Sequence, residues 1–156
     1  MKQNGENIIA DTCAANPDVK WRIVCSHYSP YNSYQDYLEN AKRIRPYYLS
    51  FTSKYDIDLV MCGHDHSYMR SNFIQADGSY KEYESPAVNP EGTMYLTLSS
   101  SSGSLFHNPT AQNEAAVAKK LKKPQVTDIQ ITDTSLKVKT YEAESWEVVD
   151  EFEIQK

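Results

Sequence analysis

The stretch Asp58–Ser71, DLVMCGHDHSYMRS, decides how the rest of the chain is read. Leu59 to Cys62 form a short continuous apolar run of strand length. Such a run fits a strand covered on both faces of its sheet. It stops at Gly63, where a residue without Cβ allows a sharp turn. His64 and His66 follow, two of the chain's four histidines. In α/β proteins, ligands sit beyond the carboxyl ends of the strands. The pair therefore stands either at a metal site in the mouth of a buried strand or in a polar turn held by hydrogen bonds.

A second strand end bears on that choice. KWRIVCSH, Lys20–His27, is apolar and β-rich, and predicts a buried strand from about Trp21 to Ser26 that ends at His27. If the two strands are parallel neighbours, His27, His64 and His66 converge at one sheet edge. Neutral imidazole is a common metal ligand. Three of them with an open position for water could generate hydroxide or polarise a phosphoryl oxygen.

The remaining pattern is strand, helix, strand, then mostly antiparallel strands, which predicts a mixed α/β sheet layered with helices. Leu38, Ala41, Ile44, Tyr48 and Phe51 recur at helical spacing. A helix is expected to about Arg45, with a kink or a second short helix after Pro46 reaching about Lys54. Asp77-Gly78 marks a hairpin turn. GTMYLTLSSSSG, Gly92–Gly103, reads as a strand running into a serine loop, and residues 111–123 as a short helix closed by Pro124. Residues 125–156 read as an antiparallel meander of three strands. Residues 1–19 are polar and unpatterned, with Asn16-Pro17-Asp18 at their end, and read as a linker or loop belonging to a longer protein; residues 20–156 form the domain part.

Composition sets bounds. The 156 residues are enough for one domain with a real core. A net charge of −5 argues against nucleic acid or an acidic membrane as partner. No apolar run approaches a membrane span, and the opening residues lack the apolar segment of a signal peptide, so the compartment is open. Three cysteines do not describe a disulfide framework. Twelve tyrosines against four phenylalanines suggest a half-polar surface or groove.

IVCSHYSPYNS, Ile23–Ser33, and DLVMCGHDHSYMRS together resemble the last two signature blocks of the calcineurin-like metallophosphoesterases, most closely the purple acid phosphatase branch. The blocks have the forms H-S-P-x-Y-N-S and G-H-x-H-x-Y-x-R-S. Residues 92–104 resemble the strand and serine loop that follow, and residues 132–154 the terminal meander of bacterial members. The resemblance implies a two-sheet sandwich flanked by helices, of which this chain is the C-terminal half. It implies phosphate ester hydrolysis by metal-activated hydroxide at a binuclear centre of iron, zinc or manganese. His27 and His64 would hold one metal and His66 the other. Tyr31 and Arg70 become candidates for substrate contact. An extracellular or cell-surface location is in keeping with the family.

The resemblance has gaps. The family's earlier blocks, D-x-G, G-D-x-x-Y and G-N-H, do not occur, so the bridging carboxylate is missing and at most one metal is expected in this chain alone. Gln35 and Asp36 stand where relatives often have a histidine, and no catalytic residue is assigned beyond the ligands. The chain is then a truncated piece, one half that joins an N-terminal half in cis or trans, or a non-catalytic relative that binds one metal or a partner. A lost half would expose sheet and favour a homodimer. Cys25 and Cys62 read as buried structural thiols, Tyr68 as packing, His107 as a loop histidine and Ser99–Ser102 as a flexible loop.

Overall fold

A computed structural model describes residues 2–110 and 112–156. Three layers follow from the strand patterns. β1 (Ile23–Ser26), β2 (Leu59–Cys62) and β6 (Thr93–Thr97) run parallel, side by side. β3 (Tyr68–Ile74) continues the sheet antiparallel to β6, with β4 (Tyr80–Lys81) and β7 (Ala115–Lys119) on its far side. A second sheet, in the order β5-β10-β9-β8, is built from β5 (Ala87–Val88), β8 (Gln125–Ile131), β9 (Ser135–Glu142) and β10 (Val148–Gln155).

β2 shows why an unbroken apolar run was needed. Alternate side chains of a strand point to opposite faces. Leu59 joins a core of Leu96, Phe73, Leu136, Val138 and Phe152 between the two sheets. Val60 and Cys62 join Tyr31, Met69 and Tyr95 beneath helix α2 (Leu38–Lys54). Both faces are buried, so a polar residue at either parity would be stranded. The expected fold, a mixed α/β two-sheet sandwich ending in an antiparallel meander, is the fold observed.

Local departures have physical causes. α2 runs unbroken through Pro46. Beyond the proline, its own Tyr48, Leu49 and Phe51 pack against the core of Val60, Met69 and Tyr95 and hold the helix in place. Residues 115–119 form strand β7 rather than the expected helix. The Tyr68–Ser71 edge of β3 is free there, because β4 covers only Phe73 and Ile74, and β7 fills it. Backbone pairing overrides the helix preference of alanine and lysine. Ala111, the first residue of that expected helix, lies outside the described residues, as does Met1. The opening segment expected to be a loop is helix α1 (Lys2–Ala15).

One glycine is required by geometry. Gly92 has φ +92°, and an added Cβ would meet the Ile74 carbonyl oxygen at 2.6 Å. That atom is backbone and cannot step aside. Gly92→Ala is expected to destabilise the chain by about 1–3 kcal/mol, read as a lowered urea midpoint; an unchanged midpoint would contradict the contact.

Candidate metal centre

The parallel register brings the carboxyl ends of three strands level, with Ser26 opposite Cys62 and Cys62 opposite Thr97. The first residues beyond them are tied together. The Gly63 amide donates to the His27 carbonyl at 3.1 Å, and the Leu98 amide to that of Cys62 at 2.8 Å. The convergence depends on this alignment.

All four histidines of the chain meet here. His64 Nδ1 lies 3.2 Å from His27 Nε2, with the rings 5.1 Å apart. His66 stands apart from that pair. Its Nδ1 lies 3.0 Å from the Leu105 carbonyl oxygen, and its ring is 5.8 Å from that of His107. A carbonyl oxygen only accepts, so His66 carries a proton on Nδ1, and in the neutral imidazole this leaves the lone pair on Nε2. Among the described residues no group of three or more His, Cys, Asp or Glu is placed to hold one metal ion.

The backbone of the turn is unusual. His64 has φ 71° and His66 φ 49°, both left-handed. Gly63 does not supply the sharp conformation; a Cβ there would meet only His27 Nδ1, at 4.0 Å. Left-handed residues other than glycine are uncommon and concentrate at functional sites. Partial burial lowers the His64 pKa from its ordinary value, and the neighbouring His27, His66 and His107 lower it further. The surroundings thereby favour the neutral imidazole, the form that binds metal.

Asp65, between the two histidines, has no exposed surface, and among the described residues neither carboxylate oxygen has a partner at hydrogen-bonding geometry. Burial pushes its pKa up to about 7, against a smaller opposing pull from the Ser33 backbone. A cavity of about 330 Å³ opens beside His64, lined by Tyr28, Tyr37, Asn40, Arg43 and Asp65. The Tyr28 and Tyr37 rings lie 4.4 and 4.5 Å from that of His64.

Several expected roles change. Tyr31 does not line this cavity. It is 1% exposed, packs on Tyr95 at 4.6 Å and lies under the Arg45 guanidinium. Arg70 is not free for substrate: it is buried in an ion pair with Asp150. Cys25 is exposed rather than buried, whereas Cys62 is buried and its thiol is pushed up to about 12 by desolvation. His107 is the residue that sequence reasoning missed. Its signal was its place in the loop after the third parallel strand, unreadable until β6 was known to lie beside β2.

Residues 1–68 match the family model for Calcineurin-like phosphoesterase. The fold aligns with the purple acid phosphatase PPD1 from yellow lupin (Lupinus luteus) seeds at a TM-score of 0.70 and 17% identity, over 98% of this chain and 28% of that one. The chain thus resembles the calcineurin-like phosphoesterases over residues 1–68 and a purple acid phosphatase in its fold. Two uncharacterized proteins of Mycobacterium tuberculosis, MT2654 and Rv2577, are each 34% identical to it over 55 residues, 35% of this chain and 10% of theirs. The chain thus spans a minor part of the length of these proteins. The family match begins at residue 1 and so includes α1, the segment that the residue pattern alone had set aside as linker.

Proposed function

We propose that this chain supplies the histidine side of a metal-dependent phosphoesterase centre. The observation that carries this is the His27–His64 pair. Two nitrogens bound to one tetrahedral metal at about 2.0–2.1 Å stand roughly 3.3 Å apart. Nε2 of His27 and Nδ1 of His64 stand at 3.2 Å. His27 and His64 would hold one metal through these atoms, and His66 a second through its free Nε2. Iron or zinc suits imidazole donors, whereas manganese would lean on the carboxylate ligands. Such metals, when bound, activate water and polarise a phosphoryl oxygen. The carboxylate ligands would come from outside these residues, in cis or in trans. Among the described residues β1 has β2 on one side only, and a further strand would join the sheet at its other edge.

The chain's own residues supply the rest. Tyr28 and Tyr37 wall the cavity beside His64 and would receive the organic group of a phosphate ester, with Arg43 offering positive charge at its rim. Tyr28 and Tyr37 also limit the freedom of the His64 ring.

The test is metal content by mass spectrometry after zinc loading, beside hydrolysis of an aryl phosphate. The wild-type chain is expected to retain one zinc with little turnover, and His64→Ala to lose it. Equal zinc in both proteins would sink the assignment. No zinc in either would favour a non-catalytic, partner-binding domain.

A further inference from the structure

We infer that His107 is a positioning residue of this centre: it clamps the His64–His66 turn in its left-handed shape and keeps Nε2 of His66 directed to a metal. The inference rests on the metal reading above.

Three hydrogen bonds define the clamp. The His107 amide donates to the His66 carbonyl at 2.9 Å. The His107 ring donates from Nδ1 to the Asp65 carbonyl at 3.0 Å. Two residues before it, the Leu105 carbonyl accepts from His66 Nδ1. Main chain and side chain of one residue thus hold two consecutive carbonyls of the turn, while the same segment sets the tautomer of the ligand. A metal-binding histidine ordinarily donates its other ring N–H to a carbonyl or carboxylate, which fixes ring orientation.

His107 is itself held in place. Its ring stacks on Tyr34 at 3.8 Å between centroids and 17° between planes. The Tyr34 hydroxyl donates to Asp36 at 2.8 Å, and the Thr110 amide donates to the Ser33 carbonyl. Tyr34 also meets Tyr37 edge-on, and Tyr37 packs on His64. The His27-side loop and the His107 segment therefore grip the turn from two sides. Without the clamp, His64 and His66 would relax towards ordinary backbone angles, and the ring nitrogens would lose their aim.

The variants separate the two ring nitrogens of His107. Asparagine places an N–H donor where Nδ1 stands, and glutamine places one where Nε2 stands. Imidazole ¹⁵N shifts of the metal-free chain are expected to show His66 protonated at Nδ1 in wild type and in His107→Asn, and a tautomer mixture in His107→Ala. Cobalt titration followed by visible d–d bands is expected to show about 10–100-fold weaker binding in His107→Ala, with recovery in His107→Asn but not His107→Gln. An unchanged His66 tautomer and unchanged cobalt affinity in His107→Ala would overturn the inference. So would rescue by glutamine alone, because Nε2 would then be the atom that matters. A wild-type chain that takes up no cobalt would remove the metal reading instead, and the tautomer comparison would still decide whether His107 holds the turn.

Discussion

Replacing Arg70 by alanine is expected to lower the unfolding free energy by about 3–5 kcal/mol, the cost of leaving a buried charge without its partner. Arg70 lies on β3 and Asp150 on β10, so their bond joins the two sheets. Arg70 Nε donates to Asp150 Oδ2 at 2.7 Å, and its terminal nitrogen to Oδ1 at 3.2 Å. Tyr68, two residues earlier and on the same face, donates to the same carboxylate at 2.9 Å. Phe152 lies under the guanidinium at 4.3 Å. The side chains of the pair are 9% and 11% exposed, so water cannot take over when one is lost. Arg70→Lys is expected to recover little, because an ammonium cannot reproduce the planar two-point contact. A triple variant, Tyr68→Phe, Arg70→Met and Asp150→Leu, removes the ion pair and its phenol together, leaves Thr140 with its Thr127 partner, and is expected to recover most of the loss. Urea unfolding measures all three. A loss under about 1 kcal/mol in Arg70→Ala would mean that the pair is solvated and does not tie the sheets.

That result bears on how the sequence is read. In G-H-x-H-x-Y-x-R-S, the histidines and the Tyr-x-Arg invite one explanation, a ligand set followed by substrate contacts. The structure divides the block at Ser67. His64 and His66 belong to the strand-end site, whereas Tyr68 and Arg70 face the second sheet. Strand periodicity allowed this division, since residues two apart share a face, but nothing in the local sequence named Asp150 as the partner, 80 residues away. β2 and the terminal meander were legible because burial on two faces, and then on one, writes itself into hydrophobic alternation. β7 was not, because its conformation is set by a vacant stretch of β3 rather than by its own residues. His107 was hidden for the same reason: its role comes from hydrogen bonds to the carbonyls of Asp65 and His66, and main-chain acceptors leave no mark in a sequence. Tyr31 was misread in the opposite way. Its place in a recognisable block suggested contact with substrate, but the block's turn directs its ring into the core beneath α2.

Asp65→Asn is expected to stabilise the metal-free chain at pH 8 and to lose that advantage in acid. An aspartate in the unfolded chain titrates near 3.8, whereas in the fold burial pushes Asp65 up to about 7. A carboxyl whose folded pKa is raised carries no penalty below the unfolded value. The penalty grows as pH rises from about 4 to about 7, while the unfolded chain ionises freely and the folded one resists, and it is constant above that. At about 1.4 kcal/mol per pH unit, the full penalty is about 4 kcal/mol. Asparagine removes the charge but leaves a buried amide without partners, so the net gain will be smaller than that. Urea unfolding at pH 4, 6 and 8 should show a difference between variant and wild type that widens with pH and then levels off. A difference that is the same at all three would mean that Asp65 is not desolvated as its surroundings imply. Zinc provides the second half of the test. Cations held by His64 and His66 would flank the carboxylate, and positive charge nearby favours its ionised form. Loading the chain with zinc at pH 8 should therefore narrow the gap between wild type and Asp65→Asn. A gap that zinc leaves untouched would place the metal away from this turn. An aspartate that burdens the metal-free fold is then what a site kept for cations would carry, because its charge is unfavourable only until they bind.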